Sequence, residues 1–155
     1  EKYEMTFVGN SPVSFNNICH KESMNHDKLS TELRKNDIFI TASKKDPCSN
    51  ALIEAAHCGL PAVALNDGGH PEILSQGGIL FNDVSTLLEA IDNVAKNYSS
   101  YQNNISLKNI RETGSQYYRF MNGIYKDTMK NKYSPKKINY LSVLIIKSKV
   151  LWYRL

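Results

Sequence analysis

The stretch SKKDPCSNALIEAAHCGLPAVALNDGGHPEIL, residues 43–74, concentrates the side chains of this sequence whose types can do chemistry. Asp46 and Glu54 bracket a Pro47-Cys48-Ser49-Asn50 turn and the start of an apolar run, and Gly68-Gly69 precede a third acid, Glu72. An ionised carboxylate only accepts hydrogen bonds and can take two hydroxyl donors, which suits a ribose diol or a sugar. Paired acids are also the equipment of glycoside hydrolysis, which needs its two carboxyls about 5–9.5 Å apart across one bond. Cys48 shares this stretch, but no histidine is spaced to make a nucleophilic dyad with it. Cys19, Cys48 and Cys58 form no C-x-x-C and no Cys/His metal spacing, so a reducing compartment with small thiols is expected.

The elements that would position these groups alternate. EMTFV (4–8) reads as a strand closed by the Gly9-Asn10-Ser11-Pro12 turn, and residues 27–35 read as a short helix with Leu29 and Leu33 one turn apart. DIFITA (37–42) is apolar in three consecutive positions, Ile38 to Ile40, as in a strand covered on both faces. A helix over 50–58 follows, with Ser49 as N-cap, Gly59 as stop and Pro61 beyond. AVAL (62–65) is the next strand, and a helical turn at 71–74 leads to a short edge strand, ILF (79–81). Asn82 or Asp83 caps the clearest helix, whose stripe is Val84, Leu87, Leu88, Ile91, Val94 and Ala95. Residues 97–104 read as a polar connector. A last helical pattern runs through Leu107, Ile110, Tyr117, Met121, Ile124 and Tyr125, with Gly114 costing it roughly 1 kcal/mol and inviting a break. Tyr117, Tyr118 and Phe120 have the spacing of core residues before that of a sugar-stacking platform.

This order predicts an α/β fold, a Rossmann-like parallel sheet flanked by helices with right-handed crossovers. In such a sheet ligands sit outside the carboxyl ends of the strands. Two loops fall at that edge, 43–49 and 66–70. The first delivers the amides of Ser49, Asn50 and Ala51 to a helix N-terminus, where unpaired N–H groups and the dipole favour an anion such as a phosphate. The second carries Gly68-Gly69, whose lack of Cβ allows backbone to approach a ligand. A phosphorylated, hydroxyl-rich molecule satisfies both loops, and a nucleotide sugar is one.

Composition narrows the class further. Forty-one per cent hydrophobic and 22% charged residues belong to an ordinary globular chain, and 155 residues suffice for a core. The net charge of +4 is uneven. From Met129 onward there are seven Lys/Arg and no acid, whereas residues 1–128 hold 12 basic and 15 acidic side chains. The body therefore lacks the basic surface of a nucleic-acid binder, and no nucleic-acid partner is expected. The longest strongly apolar run, 140–146, falls short of the ~18–20 residues of a transmembrane helix. The chain begins without Met, directly in strand-like sequence, and reads as a piece of a longer protein.

The same block resembles the donor-binding, carboxy-terminal half of GT-B-fold retaining glycosyltransferases of family 4, also called glycosyl transferases group 1. The family pattern is an acid, seven residues, Glu, then A-x-x-x-G-x-P and a Gly-Gly-x-x-E loop. Here it is carried by Asp46, Glu54, Ala55, Ala56, Gly59, Pro61 and Gly68-Gly69-His70-Pro71-Glu72. The resemblance covers residues 3–128 in order and is strongest across 37–81. It implies that Asp46 holds hydroxyls of the transferred sugar and Glu54 the ribose. The amides of Ser49, Asn50 and Ala51 would approach the diphosphate, with Pro47, Cys48, Gly68, Gly69 and Glu72 completing the substrate site. His70 falls at a variable position of the pattern. The implied donor is a UDP- or GDP-sugar, no metal or other cofactor is expected, and transfer proceeds with retention. The first acid is Asp where the family usually has Glu. The family's phosphate-binding Arg/Lys pair and its acceptor-binding half align upstream of Glu1.

On this reading residues 1–128 are the nucleotide-sugar-binding domain, and 129–155 form a basic amphipathic helical tail. That tail, with Ile138, Leu141, Leu144 and Ile145 among lysines, suits either an anionic bilayer surface or the missing half as a packing partner. A cytoplasmic location is expected, and the bilayer option for the tail would place the protein at the inner membrane face. Two other functions share these features: a GT-B relative that epimerises or hydrolyses sugar nucleotides, and a non-catalytic α/β binding module.

Overall fold

The structure, a computed structural model, describes residues 3–133, so most of the tail read over 129–155 lies outside the described residues. The chain divides into two compact units, Glu1–Leu107 and Lys108–Leu155. The first holds β1 (Thr6–Val8), β2 (Cys19–Lys21), α1 (His26–Leu33), β3 (Phe39–Thr41), α2 (Asn50–His57), β4 (Ala62–Leu65), α3 (His70–Leu74), β5 (Gly78–Phe81), α4 (Val84–Lys96) and α5 (Tyr98–Asn103). Every strand pair is parallel, in two sheets, β1-β2 and β3-β4-β5. The fold is the expected Rossmann-like α/β, with the strands divided between two hydrogen-bonded ladders rather than joined in one.

Strand alternation builds the two faces of the larger sheet. Ala62 and Ala64 of the central strand β4 pack with Leu52 of α2 and Leu74 of α3, joined by Phe39 and Leu80 from the flanking strands. The small alanines let these two helices lie close. Val63 points the other way and packs with Phe81 and with Ala90, Ile91 and Val94 of α4, joined by Ile38, Ile40, Leu65 and Ile79. β4 is therefore buried on both sides, whereas β3, an edge strand of this ladder, is only half-buried despite its unbroken apolar run.

The helix ends follow the sequence signals. Gly59 takes φ +87°, Leu60 N–H donates to the Ala55 carbonyl (3.1 Å) and Gly59 N–H to that of Ala56 (3.0 Å). This left-handed cap stops α2 and turns the chain into β4. Asp83 caps α4 by accepting from the Ser85 amide (2.8 Å) and from the Ser85 hydroxyl.

Several expectations are corrected. The buried stripe of α4 is narrower than its apolar pattern. Val84 and Leu88 are 80% and 68% exposed and Ala95 is exposed, while Leu87, Ala90, Ile91 and Val94 face the sheet. β2 escaped the pattern because Cys19-His20-Lys21 has no apolar alternation. It is held instead by pairing to β1 and by packing of the Phe7, Phe15 and His20 rings, 4.8–5.6 Å apart between centroids. The polar connector contains a helix, α5, whose Gln102 side chain donates to the Gly59 carbonyl (2.9 Å) and whose Tyr101 joins the α4 core.

The second unit carries α6 (Ile110–Met129), which runs unbroken through Gly114. Asn109 accepts from the amides of Arg111 and Glu112, and Glu112 accepts from that of Asn109, a reciprocal capping box. A lone glycine removes no i→i−4 hydrogen bond, so its cost does not break a helix capped this well. Tyr117, Tyr118 and Phe120 are exposed, not core. No helix among the described residues is long and apolar enough to cross a membrane.

Two stability experiments follow from this packing. Ile91→Ala should cost about 2–5 kcal/mol in urea unfolding, whereas Leu88→Ala should stay within about 0.5 kcal/mol of wild type. Hydrogen bonds from the Ser85 hydroxyl and amide hold the Asp83 carboxyl below the ordinary carboxylate range. A lowered folded value means the cap stabilises α4 above the unfolded-state pKa and is lost as pH falls through the folded one. Asp83→Asn should accordingly flatten the acid limb of a melting-temperature profile.

Candidate functional site

The parallel pairing of β3 with β4, Thr41 opposite Ala64, ends the two strands within one residue of each other, so the segments that follow leave the sheet side by side. The first, residues 42–49, leads to α2, and the second, residues 66–69, to α3. Main chain and side chain stitch them together. Gly69 N–H donates to the Asp46 carbonyl (2.9 Å) and Lys45 N–H to Asp67 Oδ1 (2.6 Å), with Lys45 itself at φ +56°.

Glycine is obligatory at this seam for a reason other than the expected one. A Cβ on Gly68 would stand 2.2 Å from the Asp46 carbonyl oxygen, and one on Gly69 would stand 2.3 Å from that of Pro47. Gly68 also has φ +56°. The backbone that approaches these glycines is the neighbouring loop.

Asp46 Oδ1 accepts from the Cys48 amide (3.1 Å), an Asx turn that bends the chain toward α2. This leaves Oδ2 and the outer lone pairs of the carboxylate for hydroxyl donors. Cys48 is exposed, and Ser49 is buried as the N-cap of α2. The Ser49 hydroxyl makes no capping bond, so no side chain of its own satisfies the first-turn amides at Asn50, Ala51 and Leu52. Asn50 and Ala51 are exposed at this terminus. Together these groups offer unpaired N–H donors and a helix dipole beside a carboxylate, an arrangement that accepts an anion and a hydroxyl at adjacent points.

Glu54 lies one turn into α2, half-buried, with Oε1 3.5 Å from His26 Nδ1 at the start of α1. Glu72 is exposed on the first turn of α3. The structure thus brings Asp46, Pro47, Gly68 and Gly69 into direct contact and ties Cys48 and Ser49 to them. Glu54 is joined instead to α1, and Glu72 belongs to α3. Lys44 and Lys45, also in the first loop, are exposed.

Sequence reasoning passed over His70 and Ser43. His70 is 0% exposed, its Nδ1 lies 2.8 Å from the Leu65 carbonyl and its Nε2 3.1 Å from Ser43 Oγ. Asp67 was seen only as part of a turn, yet its carboxylate fastens the first loop. The available signal was position: Ser43 and His70 each follow a strand end that the parallel register places side by side.

Paired loops at the carboxyl edge of a parallel sheet, one opening a helix with free amides, define an α/β domain of the Rossmann-like class, in which that edge is where ligands sit. The family profile described as Glycosyl transferases group 1 matches residues 5–97, from β1 to the end of α4. The chain belongs to that family. The match ends with α4, so α6 lies beyond it, short of the residue 128 to which the resemblance was read. A comparison with curated proteins gives no match. Membership makes glycosyl transfer the general activity, with a nucleotide sugar and an acceptor as its substrates.

The seam itself is open to test. Gly69→Ala, which must push the Pro47 carbonyl away, should destabilise the chain by about 1–3 kcal/mol. It should also speed tryptic cleavage after Lys44 and Lys45, read by mass spectrometry of the fragments.

Proposed function

We propose that this chain is the donor-binding half of a retaining glycosyltransferase that takes a UDP- or GDP-sugar at the seam between the two loops. The observation that supports it most is the uncapped start of α2 set beside the free edge of the Asp46 carboxylate. The diphosphate of the donor lies against the amides of Ser49, Asn50 and Ala51, with Pro47 and Cys48 lining its approach. Asp46 accepts hydroxyls of the transferred sugar. Glu54 accepts the ribose diol, its carboxylate steadied by His26. Gly68 and Gly69 hold the first loop in place, and Glu72 adds an acceptor from α3.

The chemistry on this reading is front-face displacement. The bond from the anomeric carbon to the diphosphate oxygen breaks, and the acceptor oxygen bonds to the same face. The acceptor's proton passes to the departing phosphate oxygen. Neither acid acts as general acid or base, and the main catalytic effect is the stabilisation of negative charge on the leaving diphosphate by fixed donors. Helix amides, with basic side chains of a preceding half, make a metal unnecessary. That half also binds the acceptor, a glycan or glycolipid. The basic carboxy-terminal segment, most of it outside the described residues, would either pack on that half or hold the protein at the cytoplasmic face of a membrane.

In the intact protein, Glu54→Gln should weaken UDP or GDP binding roughly tenfold by calorimetry, the effect of losing one charged acceptor. Asp46→Asn should lower the rate of sugar transfer more than it lowers nucleotide affinity. Excess chelator should leave transfer in place. Wild-type transfer by both variants contradicts the assignment.

A further inference from the structure

The most deeply buried ionisable side chain of the site region has no part in the chemistry above. His70 is fully enclosed, at the first position of α3 and directly after Gly69. A backbone carbonyl can only accept a hydrogen bond, so the 2.8 Å contact with Leu65 requires the proton of the ring on Nδ1. In the neutral ring Nε2 then presents a lone pair, to which the Ser43 hydroxyl, 3.1 Å away, donates. Ser43 Oγ in turn accepts from the Thr41 hydroxyl, 3.2 Å away, at the end of β3. The hydrogen bonds run in one direction from Thr41 through Ser43 and His70, with the ring closing on the last residue of β4. No polar atom is wasted: among the described residues no buried side-chain nitrogen or oxygen is without a partner.

The placement of this relay gives it a role. Ser43 lies three residues before Asp46, and His70 follows the two glycines that press on the Asp46 and Pro47 carbonyls. His70 N–H also donates to the Asp67 carbonyl (3.3 Å), and the Asp67 carboxylate takes the Lys45 amide. The ring thus holds the first loop at its root, while Asp67 and Gly69 hold it at its tip. Few groups fit the position. It requires a donor toward β4 and an acceptor toward β3 on one rigid, enclosed ring, and imidazole supplies both at the two nitrogens.

We propose that His70 is a positioning residue for donor binding, which fixes the Asp46 carboxylate and the start of α2 through Ser43. This inference rests on the donor site proposed above. It adds that affinity depends on an enclosed ring that does not touch the ligand. A buried ring that merely filled space would be replaceable by any side chain of similar volume. A positioning ring must keep its hydrogen bond to Ser43.

Two conservative replacements separate these roles. Asn places its amide near Nδ1 of the original ring, so His70→Asn keeps the bond to Leu65 and leaves Ser43 without an acceptor. Gln reaches the Nε2 position, so His70→Gln keeps Ser43 and gives up Leu65. Calorimetric titration of the full chain with UDP and with GDP should show affinity falling on the order of tenfold in His70→Asn, where the Ser43 hydroxyl loses the acceptor that ties the first loop to the enclosed ring. His70→Gln should stay within about threefold of wild type, and Ser43→Ala should add nothing further in the His70→Asn background. Equal losses in His70→Asn and His70→Gln, or additive losses with Ser43→Ala, would overturn the proposal.

Nitrogen NMR of the ring in the nucleotide-free chain gives a second, independent arm. The wild type should show a single Nδ1–H tautomer, and Ser43→Ala should shift the His70 Nε2 resonance and the amides of Lys45 and Gly69. An unmoved spectrum would refute the relay whatever the nucleotide result. If the wild type bound neither UDP nor GDP, the donor-site reading would fail by itself, and the spectrum would still decide whether His70 controls the loop.

Discussion

The site depends on a close approach of backbone to backbone. Where the 66–69 loop crosses the 42–49 loop, two carbonyl oxygens occupy the volume that side chains on Gly68 and Gly69 would fill. That contact fixes the height of the Asp46 carboxylate above the sheet, because the same peptide that presses on Gly68 also receives the Gly69 amide. A loop anchored only at its ends would sample many conformations, and ordering it on ligand binding would subtract from affinity. Here the ordering is already present in the folded chain.

The rest of the first unit makes that contact reachable. The two loops leave side by side because β3 and β4 pair in register and point the same way. α2 can sit low over β4 because that face of the strand offers Ala62 and Ala64. The larger side chains, Val63 and Phe81, are sent to the opposite face, where α4 covers them with a narrow stripe. The left-handed cap at Gly59 returns the chain sharply from α2 into β4. The division of small and large residues between two faces is thus a condition of the site as well as of stability.

Most of this architecture was legible in the sequence. The strand AVAL, the α2 stop at Gly59 and the α4 cap at Asp83 all announce themselves through local chemistry, whereas Ser49 marks the start of α2 without making a capping bond. What was hidden depended on partners distant in sequence. β2 is polar and exists by pairing with β1, and α5 is held by contacts to Gly59 and to the α4 core. Val84 and Leu88 follow the helical period, yet the sheet reaches only part of that face. In the site, the acids and glycines were visible as residue types, but the work of the glycines was not, since the surface they receive lies some twenty residues earlier in the chain. His70 was set aside because it falls at a variable position of the family pattern, and only the parallel register places it opposite Ser43.

On the proposed reading this arrangement would supply fixed charge and fixed donors to glycosyl transfer in place of acid–base groups. A leaving diphosphate gathers negative charge as its bond to the sugar breaks, and amides fixed at the start of α2 would need no rearrangement to meet it. The central claim, that the donor lies at the seam of the two loops, is tested most directly by amide chemical-shift mapping of the chain titrated with UDP and GDP. The account predicts saturable shifts at residues 46–51 and 66–69, with further shifts near Glu54. Saturable shifts confined to other loops, or none with either nucleotide, would contradict it.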